Sequence, residues 1–135
     1  MIIKSFELTK IKLSNYKFYL FYGNNEGLKE ETIKNFFEKN YQNKIHRYEE
    51  KEILDDVGNF FNVVLTKSFF DNEKLIIINR ATDKIRELVE ELIEKNPEDI
   101  KIILNSKNLE KKSTLRKIFE KEKIIITVPF YEDNN

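Results

Sequence analysis

The sequence predicts a three-layer α/β domain in which a mainly parallel sheet of about five strands lies between helices. Three observations point there. Short apolar or β-branched runs alternate with longer stretches whose apolar residues recur every three to four positions. Several of the short runs are apolar at every residue, as a strand covered on both faces requires. The chain has 40% hydrophobic residues with only 3 Gly and 2 Pro, the composition of a folded, helix-rich or mixed domain rather than a disordered one.

Taken in order, Phe18 to Tyr22 (FYLFY) is a continuous apolar and aromatic run ending at Gly23, and reads as a covered strand. A helix follows from Glu26 to about Lys39, with Leu28, Thr32, Ile33, Phe36 and Phe37 on one side. Lys44 to Tyr48 alternates and is polar, which suits an edge strand. Ile53, Leu54, Val57, Phe60, Phe61, Val64 and Leu65 then draw a single apolar stripe, predicting one helix. Lys74 to Asn79 (KLIIIN) is a buried strand. Thr82 is placed to cap a helix carrying Ile85, Leu88, Val89, Leu92 and Ile93. Asn96-Pro97-Glu98-Asp99 is a turn, because Pro cannot continue the helix and Asn and Asp favour turn geometry. Ile100 to Leu104 is a further buried strand, Asn108 to about Lys121 a helix, and Ile124 to Val128 the last strand. An additional N-terminal strand fits Ile2 to Leu8. Strands alternating with helices imply parallel pairing through right-handed crossovers. Residues 1–135 read as one domain, with no repeat, linker or second unit.

Composition removes several function classes. The 24 Lys and Arg balance 24 Asp and Glu, so the basic excess of a dedicated nucleic-acid binder or a polybasic membrane module is missing. With no Cys and one His (His46), disulfides, thiolate metal sites and multi-histidine metal sites are excluded. No run has signal-peptide or membrane-span character, so a soluble, cytoplasmic protein is expected. The neutral sum conceals opposed patches: Glu87 to Asp99 holds six acids and one Lys, whereas Lys107 to Lys123 holds seven Lys or Arg and three Glu. The basic stretch reads mainly as a solvated helix face, with contact to DNA or acidic subunits as the other reading.

Ligands of open parallel sheets sit at the carboxyl ends of strands, so those positions test for a site. The first is Gly23-Asn24-Asn25-Glu26-Gly27-Leu28-Lys29-Glu30. A phosphate loop requires G-x-x-x-x-G-K-[ST], and here Gly27 is one residue early, Leu28 precedes Lys29, and Glu30 replaces the hydroxyl. Glu26 and Glu30 would also repel a phosphate. The strand ending at Asn79 and Arg80 supplies no acidic metal partner, and neither a receiver-domain acidic set nor a G-x-G-x-x-G fingerprint is present. The acidic group Glu49, Glu50, Glu52, Asp55 and Asp56 reads as a solvated helix start favoured by the dipole. His46 reads as a surface residue. No catalytic constellation emerges, and neither a cofactor nor a metal is expected.

Three segments together resemble the N-terminal domain of the delta subunit of bacterial DNA polymerase III, the clamp-opening subunit of the sliding-clamp loader. They are the degenerate loop Phe21 to Glu30; Ser68-Phe69-Phe70 followed by the strand Lys74 to Asn79; and Leu109-Glu110-Lys111-Lys112-Ser113-Thr114-Leu115-Arg116-Lys117. The resemblance spans nearly the whole chain. It implies a fold like the ATPases of clamp loaders (AAA+-like, with a P-loop ATPase architecture) in which Gly23, Asn24, Asn25, Glu26, Gly27, Leu28 and Lys29 keep the shape of the loop without nucleotide chemistry. It implies a non-catalytic role in DNA replication as a subunit of the polymerase III holoenzyme. The helical and collar domains that follow in the family have no room in this chain. The implied partners are the sliding clamp (the polymerase III beta subunit) and the other clamp-loader subunits, with DNA reached only through the complex and no membrane involved. The family inserts a hydrophobic wedge, usually Ser-Leu-Phe, into a pocket of the clamp; carried onto this chain the wedge is Ser68, Phe69 and Phe70, with Phe69 where Leu is usual. Periodicity alone leaves Phe69 open, since the stripe through Phe61 and Leu65 also reaches it as a last core position, whereas Phe70 lies about 100° further round. Two other readings of the residues are a nucleotide-binding domain using Gly23 to Lys29 and a scaffold module with another partner.

Overall fold

The structure is a computed structural model that describes residues 1–41, 45–66, 73–122 and 125–131. Five parallel strands form the sheet: β1 (Phe18–Tyr22), β2 (Ile45–Glu49), β3 (Lys74–Asn79), β4 (Ile100–Asn105) and β5 (Ile125–Pro129). Their order is β2-β3-β4-β1-β5, so the polar β2 is an edge strand as its alternation predicts. Phe18 pairs with Ile102 on one side and Ile125 on the other, which makes β1 an interior strand, buried along its whole length. The three-layer α/β expectation is met.

Helices α1 (Glu26–Phe36), α2 (Glu50–Asp55), α3 (Val57–Leu65), α4 (Arg86–Lys95) and α5 (Thr114–Lys121) cover the sheet. The β1-to-β2 connection runs across the sheet one way, and the three later connections run the other way. With right-handed crossovers, α1 must therefore lie on one face and α2 to α5 on the opposite face. The two cores agree. Phe18, Leu20 and Tyr22 pack with Ile53, Phe60, Leu92 and Phe119, while Tyr19 and Phe21 pack with Leu8, Ile33 and Phe37. Alternate residues of one strand thus feed two cores, as the period of two demands.

Several boundaries differ from the sequence expectation. Ile2 to Leu8 is not a strand: Ile2 makes a single bridge to Thr127, and Ser5–Lys10 forms a 3₁₀ helix. Ile3 and Leu8 both pack in the α1-side core, yet they have opposite parity, so a straight strand would have sent them to opposite faces. The single apolar stripe from Ile53 to Leu65 is carried by two helices, because Asp56 leaves the helical conformation and its side chain accepts from the Asn59 amide at 3.1 Å. An N-cap therefore sits inside the pattern. The last helix begins at Thr114 rather than Asn108, capped by Ser113, whose hydroxyl accepts from the Arg116 amide. The first helix stops at Phe36, before a short 3₁₀ turn at Glu38–Asn40. Thr82 does cap, but through a 3₁₀ turn at Asp83–Ile85 that runs into α4. Asn96 closes α4 in the left-handed conformation (φ 43°), as its turn role predicts.

Candidate functional site: the carboxyl edge of the sheet

In this strand order β1 and β4 are neighbours whose following segments leave toward opposite faces. Such a switch point is where an open parallel sheet leaves a crevice for ligands. Here the crevice at β1 is filled from within. Lys29, with a fully buried side chain, donates to the Ser106 carbonyl at 2.6 Å and pairs with Glu26 at 2.7 Å. The lysine that a phosphate loop would turn toward its ligand is instead a strut between α1 and the end of β4.

Most backbone amides of the turn are committed as well. Gly23 N–H donates to the Lys107 carbonyl, Asn25 N–H to the Phe130 carbonyl, Glu26 N–H to Asn24 and Lys29 N–H to Asn25. Leu28 N–H donates to the Asn25 side chain at 3.1 Å. Gly23 has a φ of 121°, and a Cβ there would overlap the Phe130 carbonyl, so the strand-to-helix turn depends on glycine for both conformation and space. Phosphate loops work by presenting free amides and a free lysine. The Lys29 ammonium and the amides of Gly23, Asn25, Glu26, Leu28 and Lys29 are taken, so the loop keeps the shape of a phosphate site with most of its donors spent.

Beside this plugged turn, the ends of β2, β3 and β4 enclose an open cleft of about 410 Å³. Glu26, Glu30 and Glu49 line it on the acidic side, and Arg80 and Lys107 on the basic side. Arg80, in the left-handed conformation (φ 56°), reaches Glu49 at 2.5 Å. Asn79 and Asn105 hydrogen-bond to each other at 3.1 Å across the strand ends. Among the described residues, no aromatic or aliphatic side chain lines the cleft.

The acidic group at the start of α2 is not uniformly solvated. Glu50 is 6% exposed and accepts from both the amide and the hydroxyl of Thr82, which ties α2 to the loop after β3. Nearby, Asp83 accepts from the Ser113 hydroxyl at 2.6 Å and the Leu115 amide at 3.1 Å. The Ser113 bond, followed by the backbone donors and against the opposing effect of burial, holds its carboxyl below the usual carboxylate range.

Ser68, Phe69 and Phe70 lie outside the described residues, so whether Phe69 belongs to a core or to a wedge is not read from the fold. The described residues on either side are placed at the opposite edge of the sheet from the cleft. Lys74, the first residue of β3, donates from its ammonium to the Val63 carbonyl at 2.7 Å and to the Thr66 carbonyl, fastening the end of α3 to the amino end of the strand. Asn105 and Ser106 carry no motif that would single them out in sequence. The available signal is only their position after the fourth apolar run.

Among the described residues, no group of three or more His, Cys, Asp and Glu is arranged to hold a metal, and no helix is long and apolar enough to cross a membrane. A family profile described as the DNA polymerase III delta subunit matches residues 19–129. The Bacillus subtilis DNA clamp loader delta protein is similar in structure, with a TM-score of 0.70 at 16% sequence identity. The alignment covers 96% of this chain and 43% of that protein, so the chain spans less than half of its length. No curated protein matches the chain.

Proposed function

The chain belongs to the DNA polymerase III delta subunit family, and from that premise we propose that it is a non-catalytic clamp-loader domain that docks on the sliding clamp through Ser68, Phe69 and Phe70. The observation that carries the reading is the profile match over residues 19–129, joined to a parallel α/β fold whose degenerate loop has spent its lysine and most of its amides. A clamp-loader subunit without nucleotide chemistry contributes binding rather than turnover. The other loader subunits and the clamp are its partners, and DNA is engaged through the assembled complex.

The proposed wedge follows α3 directly, and the anchoring of α3 to β3 through Lys74 supports a rigid base for it. Aromatic side chains that enter a pocket are strong anchors, because they bury large apolar area at little conformational cost. Loss of two such rings is expected to weaken docking by at least about 100-fold, since about 2.7 kcal/mol corresponds to only about 110 Å² of apolar surface at about 25 cal/mol per Å². Titration of the cognate clamp with the wild-type chain and with Phe69→Ala/Phe70→Ala tests this. The proposal requires saturable binding by the wild type and its loss in the double variant at unchanged melting temperature. Absence of binding by the wild type, or undiminished binding by the folded variant, refutes the wedge.

A further inference from the structure

We propose that the α-amino group of Met1 is a modification-sensitive anchor: free, it caps the end of α5 and holds residues 1–3 along β5; N-acylated, it releases them. This inference is independent of the clamp-docking reading. It starts from three carbonyls that converge on one nitrogen. The Met1 amine donates to the Ile125 carbonyl at 2.6 Å, the Glu122 carbonyl at 3.0 Å and the Phe119 carbonyl at 3.4 Å. Phe119 lies in the last turn of α5, where carbonyls run out of intrahelical donors. Glu122 is the C-cap residue of that helix, and Ile125 opens β5. The carboxyl end of a helix carries negative partial charge, so an ammonium is well placed there.

The bonds beside the amine show what it secures. The Thr127 amide donates to the Met1 carbonyl at 2.8 Å, and the Ile3 amide donates to the Thr127 carbonyl at 2.9 Å. With the bridge between Ile2 and Thr127, residues 1–3 run parallel to β5 and pair its outer edge. An uncovered edge strand is a template for strands of other chains. Ile3 is 7% exposed and packs with Leu8, Ile126 and Val128 in the α1-side core. The amine thus fastens a segment that closes both a sheet edge and part of a core.

Acylation removes the fastening. Transfer of an acyl group from a thioester joins the nitrogen to a carbonyl carbon and expels a thiol and a proton. The product is a neutral amide with one N–H, facing three acceptors. Burial lowers the pKa of the amine below its ordinary value, against the Glu120 and Glu122 carboxylates, which raise it. The neutral amine still keeps two N–H donors and the ammonium three, so both forms serve the carbonyls better than the amide does. The acyl oxygen is a further acceptor brought among acceptors.

The test compares the full chain carrying a free Met1 amine with the same chain acetylated at Met1 by an N-terminal acetyltransferase during expression, verified by peptide mass. The melting temperature of the acetylated chain is expected to be lower by about 3 °C. Amide hydrogen exchange at Ile3 and Thr127 is expected to be at least about tenfold faster, while Leu20 and Ile77 in the interior strands stay protected and establish that the sheet is folded. A formylated chain, prepared with deformylation blocked, is expected to match the acetylated one, because lost donors rather than bulk release the segment. The proposal is overturned by unchanged exchange at Ile3 and Thr127 in the acetylated chain, whatever its melting temperature, or by a formylated chain that behaves as the free one.

Discussion

At the scale of single residues, Lys29 carries most of what separates this fold from a nucleotide site. Its ammonium is spent on Glu26 and on the Ser106 carbonyl, the second a buried contact that water does not reach. Lys29→Met keeps the length of the side chain and removes the donor, leaving the Ser106 carbonyl unpaired. Such a loss costs about 1–3 kcal/mol. Urea unfolding is expected to show that decrease, and calorimetry with ATP no heat of binding in either protein. The spacing error in Gly23 to Glu30 was legible in the sequence because motif chemistry is local. The fate of Lys29 was not, since its partner Ser106 is 77 residues away.

At the scale of elements, the strands were legible and the helix boundaries less so. An apolar run such as Phe18 to Tyr22 or Lys74 to Asn79 has one place to go in a covered sheet, and the four apolar runs and the alternating run at β2 each became a strand. Helical periodicity is blind to a cap inside the pattern. The stripe from Ile53 to Leu65 continues through Asp56, whose backbone closes one helix and whose carboxylate starts the next. Asp56→Ala is expected to lower stability by about 1 kcal/mol, measurable by thermal unfolding followed by circular dichroism. The N-terminal segment misled for a related reason, because Ile3 and Leu8 reach one core only when the chain coils between them. Between α4 and α5 the Asp83 to Ser113 contact is a pH-dependent link. The carboxyl is held below its ordinary value of 3.8, so its contribution is present above that pH and is lost as the pH falls through the depressed folded value. Asp83→Asn lacks the contribution at every pH. The difference in melting temperature between wild type and variant is therefore expected to be constant from pH 7 to about 5 and to shrink below 3.8.

At the scale of the molecule, the strand order divides the domain into two working edges. The carboxyl edge, where related architectures place ligands, carries a plugged turn and an open cleft. The amino edge carries the Lys74 anchor that flanks residues 67–72. Neither cleft nor anchor is visible in the letters, since Glu49, Asn79 and Asn105 come together only through a sheet ordered β2-β3-β4-β1-β5. The neutral net charge is likewise a sum of opposed patches and by itself identifies no partner. Docking on a protein ring through two aromatics is open to amide hydrogen exchange of the chain, alone and saturated with the cognate clamp. Slowed exchange is expected at residues 66–73 and in the last turn of α3, with the amides of Asn105 to Lys107 unchanged. Slowed exchange at the carboxyl edge with none at residues 66–73 refutes docking through Phe69 and Phe70.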